Sequence, residues 1–209
     1  MSETLDTLRR AAERNATDAE GWVRLARGAE RAGRVDDALA AWARALAVEP
    51  AHDAARAALA APLVAHPQRA TWFTRVATLL LDAGAPALAE PFLRQALWLN
   101  PHEEVALLRL AELLAGRGRT AGRIVEWDDD KRRGTVETAG GQRVGLHGAI
   151  ARDSGQPLHD GLPLELTVTD SVRGPVAADP AAIGRPELPF GPAAEAYVTK
   201  PRIQRPESR

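Results

Sequence analysis

The chain has 209 residues, with 27 basic and 28 acidic side chains, a formal net charge of -1 and no cysteine. Because acids and bases balance, no overall field attracts nucleic acid or an anionic membrane, and any such contact needs a local patch. The lack of cysteine excludes disulfide bonds and thiolate metal sites. With no long apolar run after Met1, we expect neither a signal peptide nor a membrane span, and a cytoplasmic location.

The N-terminal half has the spacing of amphipathic helices. Leu5, Leu8 and Ala12 predict a short helix over residues 3–15, which would cover one end of a helical stack. Thr17 or Asp18 then offers a side-chain oxygen to cap the next helix. We therefore expect this half of the chain to begin with a capping helix.

Residues 22–50 predict a pair of packed antiparallel helices, near 19–32 and 35–48, joined at Gly33. Small residues at Ala26 and Ala38 would allow the two helix axes to approach closely, and Trp22 and Trp42 would fill the space beside them. Apolar and small residues recur at helical spacing on both sides of the glycine: Trp22, Leu25, Ala26, Ala29, Ala38, Trp42 and Ala45, with Pro50 closing the pattern.

The same pattern returns at 70–101, with its break at Gly84, and a third, partial copy begins at Glu104 and ends at residues 116–118. Pro86 falls in the first turn of its helix, where proline is tolerated, whereas Pro91 should bend that helix. Trp22 and Phe73 are separated by one repeat and half of another. The stretch 52–66 therefore has room for only one helix, which we expect to begin at an Asp53 cap and to be limited by prolines at 62 and 67.

These intervals resemble the tetratricopeptide repeat, which has a period of about 34 residues. The resemblance covers residues 19–116 and implies a helical array over 1–118 that binds a protein or peptide partner. The side chains expected on its inner face are Val23, Arg27, Glu30, Arg31, Thr74, Thr78, Leu81, Leu108 and Glu112. Arg27 and Arg31 either grip a carboxylate or form a solvated face. The Lys/Asn clamp typical of chaperone-docking members is absent, which argues against a C-terminal Glu/Asp ligand.

From residue 119 the pattern changes to short alternating runs typical of strands. Five are predicted, at 123–127, 133–138, 142–147, 162–169 and 175–178, with turns at 128–130, 139–141 and 160–161. Because an open sheet of this size would leave two unpaired edges, we expect a small closed barrel over 119–183.

The order of these segments resembles a cold-shock domain, an OB-fold family, across residues 121–183. The resemblance implies single-stranded RNA or DNA as a ligand, bound by Arg123, Trp127, Lys131, Arg132, Arg133, Arg143 and His147. Where that family has aromatic side chains that stack on bases, this chain has Arg133, Thr135, Gly145 and Gly148. Losing such platforms, each worth roughly 1–3 kcal/mol, leaves an electrostatic and salt-sensitive mode. The acidic turn at 128–130 opposes it, so a scaffold or protein-binding barrel remains the alternative.

Residues 184–209 are rich in proline, glycine and charge, and we expect a flexible tail. The five histidines have no metal-ligand spacing, and no phosphate loop or nucleophile motif is present. We therefore expect no catalytic residue, metal, cofactor or small-molecule substrate. The sequence predicts a multidomain, non-enzymatic adaptor, with an all-α array that binds a protein and an all-β OB-fold barrel as a candidate nucleic-acid module. The alternative is a structural subunit of a protein-only complex.

Overall fold

The computed structural model describes residues 4–148 and 156–192, and in these residues helices are followed by strands, as predicted. The helices are α1 (Leu5–Arg14), α2 (Ala19–Arg31), α3 (Val35–Val48), α4 (Asp53–Ala65), α5 (Ala70–Asp82), α6 (Pro86–Leu99) and α7 (Glu104–Ala115). The strands are β1 (Thr120–Asp128), β2 (Arg133–Thr138), β3 (Arg143–His147), β4 (Pro163–Ser171) and β5 (Gly174–Ala182). The helical array and the barrel of the predicted fold class are both confirmed.

The helix pair α2–α3 forms because a glycine reverses the chain between two apolar faces. Gly33 has a φ of 70°, and the next residue donates its backbone N–H to Ala29 O over 2.9 Å. Trp42 is buried, and its Nε1 donates to Glu30 Oε1 over 2.8 Å. Trp22 is half-buried against the same core, so the two tryptophans flank a layer of buried alanines.

Helix α4 is the single helix expected in 52–66, and it ends before Pro67 as predicted, but its N-cap and the place of Pro62 differ from the prediction. His52, not Asp53, is the N-cap, and its Nδ1 accepts from the N–H of Ala55 over 3.3 Å. Pro62 lies inside the helix instead of ending it, and Leu59 and Leu63 are fully buried. Their burial in the main core offsets the lost hydrogen bond of the proline.

Helices α5 and α6 repeat the pairing of α2 with α3, and α7 packs against α6. Pro86 is at the first turn of α6, and the helix continues through Pro91 to Leu99. The buried face of α6 includes Phe92, Leu93 and Ala96, all with no exposed surface. One continuous apolar core therefore runs from α1 to α7.

The five strands close into a barrel in the order β1-β2-β3-β5-β4. Strand β3 pairs with β5 in parallel, and every other neighbouring pair is antiparallel. A bulge at Val125 interrupts the β1–β2 register between Ile124 and Glu126. Alternate residues point inward and form a small second core: Ile124, Val136, Val144, Leu146, Leu162, Leu164, Leu166 and Ala177.

The barrel is docked on the C-terminal end of the array. Ala121 and Ile183, at the two ends of the barrel segment, are buried in the helical core. Arg94 on α6 bridges Glu90 on its own helix, at 2.8 Å, and Glu165 on β4, at 2.6 Å. Arg123 of β1 pairs with Glu104 of α7 at 3.0 Å. Apolar and charged contacts together join the two domains.

The chain then returns from the barrel to the array as an extended segment. We call residues 184–192 the C-terminal strap. The ring of Phe190 lies 4.8 Å from the ring of Phe92, measured between centroids, and the Arg185 guanidinium carbon lies 5.7 Å from the centre of the Trp98 ring. This part of the predicted tail therefore packs on the helices, and residues 193–209 lie outside the described residues.

Candidate binding surfaces

Arg27 and Arg31 lie on the exposed side of α2, beside the N-terminal half of α1. They border an open cleft of about 660 Å³, which is lined by Leu5, Leu8, Arg24, Arg27, Gly28, Arg31 and Ala32. Among the described residues neither Arg27 nor Arg31 has an acidic partner within ion-pair distance, and Arg24 lies 3.6 Å from Asp18. The cleft thus combines an apolar floor with positive charge.

The other predicted inner-face residues of α2 and α5 are less accessible. Val23 is 1% exposed and Thr74 is 6% exposed, so their side chains belong to the core. The Thr74 hydroxyl donates to Ala70 O over 3.2 Å. Thr78 and Leu81 are half-buried, which leaves only part of each side chain for a partner.

Glu30 and the α7 residues complete this set. Glu30 is exposed, but one of its carboxylate oxygens accepts from Trp42. On α7, Leu108 is 49% exposed and the neighbouring Val105 is 50% exposed, while Glu112 pairs with Arg109 at 3.1 Å. Three residues apart on a helix, Val105 and Leu108 share one face, and they form an exposed apolar pair.

The outward face of β1, β2 and β3 is charged in alternating signs. Cross-strand register aligns Arg123, Glu137 and Arg143 in one row, and Asp128, Arg133 and His147 in another. The middle row consists of Glu126, Thr135 and Gly145. These three rows therefore carry three acids, three arginines and one histidine, and they contain no Phe, Trp or Tyr.

Trp127, one of the predicted nucleic-acid contacts, is turned to the other side of the sheet. It pairs with Gly134 and packs against the inner barrel core, and its Nε1 donates to Asp129 Oδ1 over 2.7 Å. An added Cβ at Gly134 would lie 2.8 Å from Trp127 Cε3, so the glycine makes room for the indole. The structure does not bring Trp127 together with the outward arginines.

The basic side chains near the β1–β2 turn are partly engaged by acids. Asp128 accepts from both the backbone N–H and the Nζ of Lys131, each at 2.9 Å. These bonds, the backbone bond first, hold the pKa of Asp128 below its usual value. Arg132 is exposed at a φ of 50°, and Arg143 is 4.0 Å from Glu137. Arg132, Arg133, Arg143 and His147 are thus the more accessible members of the predicted set.

The charged cluster between array and barrel was not anticipated from the sequence. Burial opposes the ionisation of Glu90, but hydrogen bonds from Arg117 and Arg94 outweigh it and lower the pKa of Glu90. Since Arg94 and Glu165 are 71 positions apart, local spacing carries no signal for their contact.

Over the described residues, no group of three or more His, Asp or Glu side chains could hold a metal ion, and no helix is long and apolar enough to cross a bilayer. Neither the protein-family models nor the curated proteins compared with this chain gave a match.

Proposed function

We propose that this protein is a non-enzymatic adaptor whose helical array binds a protein partner. The observation that carries the proposal is the set of unmatched side chains on the array surface. Arg27 and Arg31 have no acidic partner among the described residues, and Leu108 with Val105 exposes apolar area on α7. Exposed apolar and unpaired arginine side chains are typical anchors of protein interfaces.

The barrel favours a protein-only role over tight nucleic-acid binding. Its outward strand rows carry three acids, which weaken attraction to phosphate, and they lack the aromatic platforms on which bases stack. Because the barrel is docked on the array, it would add a second protein-binding surface to the molecule. This supports the alternative of a subunit in a protein assembly without removing the adaptor role.

Site-specific photocrosslinking tests the protein-binding proposal. A photoreactive amino acid replaces Arg27 or Leu108 in the full chain, and Val172, an exposed residue of the β4–β5 turn, serves as the control position. Exposed to an extract of the source cells, positions 27 and 108 should give the same discrete adduct, identified by mass spectrometry. Adducts at 172 alone, or none at any position, would contradict a partner on the array.

Single-stranded RNA remains a second candidate ligand, because Arg133 and His147 lie side by side on the outward face, next to Arg132. A fluorescence titration at low and moderate salt tests it. Weak binding that falls steeply with salt, and disappears in Arg132→Glu/Arg133→Glu, supports nucleic-acid binding. Arg27→Glu/Arg31→Glu is the matched control, since it changes the net charge by the same amount on the array.

A further inference from the structure

The C-terminal strap covers one face of α6 and reaches α4. It leaves the barrel after Ile183, crosses Trp98, and brings Phe190 against Phe92. Gly191, at a φ of 124°, sits where an added Cβ would be 3.5 Å from Leu63 Cδ1. The strap therefore fills a groove between two helices of the array.

Side-chain contacts hold this strap against the helices. No backbone–backbone hydrogen bond links residues 184–192 to the rest of the described chain. Its contacts include the Phe190–Phe92 ring pair, the Arg185–Trp98 cation–π pair and the packing of Leu188 on the helical core. A segment bound in this way can detach without breaking a sheet or a helix.

Gln95 is a buried amide on α6, between two residues that the strap contacts. It is three residues from both Phe92 and Trp98, so it projects between these two strap contacts, about 60° from each around the helix. It is fully buried, and among the described residues neither its Oε1 nor its Nε2 has a hydrogen-bond partner. A buried amide left unpaired costs free energy that a better-matched ligand would recover.

The strap sequence limits the backbone donors available to the Oε1 of Gln95. Between Arg185 and Phe190 the chain reads Pro-Glu-Leu-Pro, and Pro186 and Pro189 have no backbone N–H. These four residues thus supply half the backbone donors of an ordinary extended peptide. It matches the groove in its apolar side chains but not in its backbone.

We propose that the groove formed by Leu63, Phe92, Gln95 and Trp98 is a peptide-binding site that the strap occupies in cis. Its ligand in trans is an extended protein segment with the apolar pattern of Leu188 and Phe190 and with a backbone N–H where the strap has proline. Such a segment displaces the strap and donates to Gln95. This site is separate from Arg27 and Leu108, and it goes beyond the partner binding proposed above.

The first test measures competition by the strap. A fluorescent peptide with the sequence of residues 184–192 is titrated into the full chain and into its Leu188→Ala/Phe190→Ala variant. Because release of the cis segment frees the groove, the variant should bind the peptide at least about tenfold more tightly. Val35→Ala/Val172→Ala, which shortens two exposed apolar side chains on α3 and the β4–β5 turn, should bind it like the unchanged protein. Circular dichroism verifies folding, and Arg185→Ala provides a milder release that should give a smaller gain.

Equal affinity of the strap peptide for the Leu188→Ala/Phe190→Ala variant and for the unchanged protein would overturn the proposed site. So would the absence of peptide binding to either protein. Crosslinking from positions 27 and 108 does not depend on the strap, so its result separates failure of this inference from failure of the adaptor role.

The second test addresses Gln95. This test uses the Leu188→Ala/Phe190→Ala variant, in which the strap is released. A peptide with alanine in place of Pro186 and Pro189 should bind this variant several-fold more tightly than the unchanged strap peptide does, although it loses the rigidity of proline. The gain should vanish in Gln95→Leu, which keeps the volume but removes the amide. If the alanine peptide gains nothing, or gains equally in Gln95→Leu, Gln95 is not the recognition group.

Discussion

At the scale of single residues, one backbone irregularity decides what the barrel presents. The bulge at Val125 adds a residue to β1, so Arg123 and Trp127 fall on opposite sides of the sheet. Strict alternation would have placed them together, as the prediction that both contact nucleic acid requires. The inward Trp127 in turn requires a glycine at 134.

We predict that Gly134→Ala destabilises the barrel by about 1–3 kcal/mol, because the added Cβ would collide with the backbone oxygen of Glu126 and with the indole of Trp127. Urea unfolding measures the loss. Gly140→Ala is the matched control, since its nearest neighbour, Thr138 Oγ1, is 3.9 Å away. Equal stability of the two variants would show that β1 shifts at no cost.

Glu90 gives the interface between the two domains a defined pH dependence. Since the pKa of Glu90 is lowered in the folded chain, its ionised form stabilises the fold above the usual value of 4.5, and this contribution is lost as the pH falls through the lowered pKa. We predict that Glu90→Gln costs about 1–3 kcal/mol at pH 7. The gap between variant and unchanged protein should shrink below pH 4.5. Chemical unfolding across this range measures it, and a constant gap would contradict the assignment.

At the scale of elements, periodic spacing predicted the helices and strands, because each buries one face against a sequential neighbour. The same logic failed at α4 and the strap. Pro62 is tolerated since Leu59 and Leu63 fix the helix from the core side, which no local rule detects. The strap has too few apolar residues to suggest order, and its partners Phe92 and Trp98 are distant in sequence. The predicted inner-face set was accordingly mixed, with Val23 and Thr74 in the core.

We predict that Leu59→Ala destabilises the array by about 2–5 kcal/mol, as expected for a cavity in a fully buried site. Val64→Ala, on the same helix but 56% exposed, should change the stability little. Thermal unfolding followed by circular dichroism compares the two. A small effect at both positions would mean that α4 is peripheral to the core.

At the scale of the whole molecule, array and barrel share one interface. Ala121 and Ile183 from the barrel end in the helical core, and Arg94 carries two ion pairs across or beside the junction. None of this was predictable from the repeats or from the strand pattern, because both describe each domain alone. Shared burial implies that the two domains unfold together.

We predict a single unfolding transition for the full chain, and its separation into two in Ile183→Asp, where a buried apolar side chain becomes a charge in the helical core. Calorimetry detects the split. Val172→Asp adds the same charge at an exposed turn and should leave one transition. One transition in both variants would show that Ile183 does not couple the domains.

Four residues, 116–119, connect α7 to β1. Arg123, early in β1, forms an ion pair with Glu104 at the start of α7. The array and the barrel are therefore held at a fixed distance and angle. A ligand bound on the array would lie at a set distance from one bound on the outward face of the barrel. Two ligands captured at both places meet at a local concentration fixed by geometry and not by diffusion of a tether. Because Ala121 and Ile183 are buried in the helical core, this spacing depends on the docked interface and not on the turn alone, so undocking the barrel would erase it.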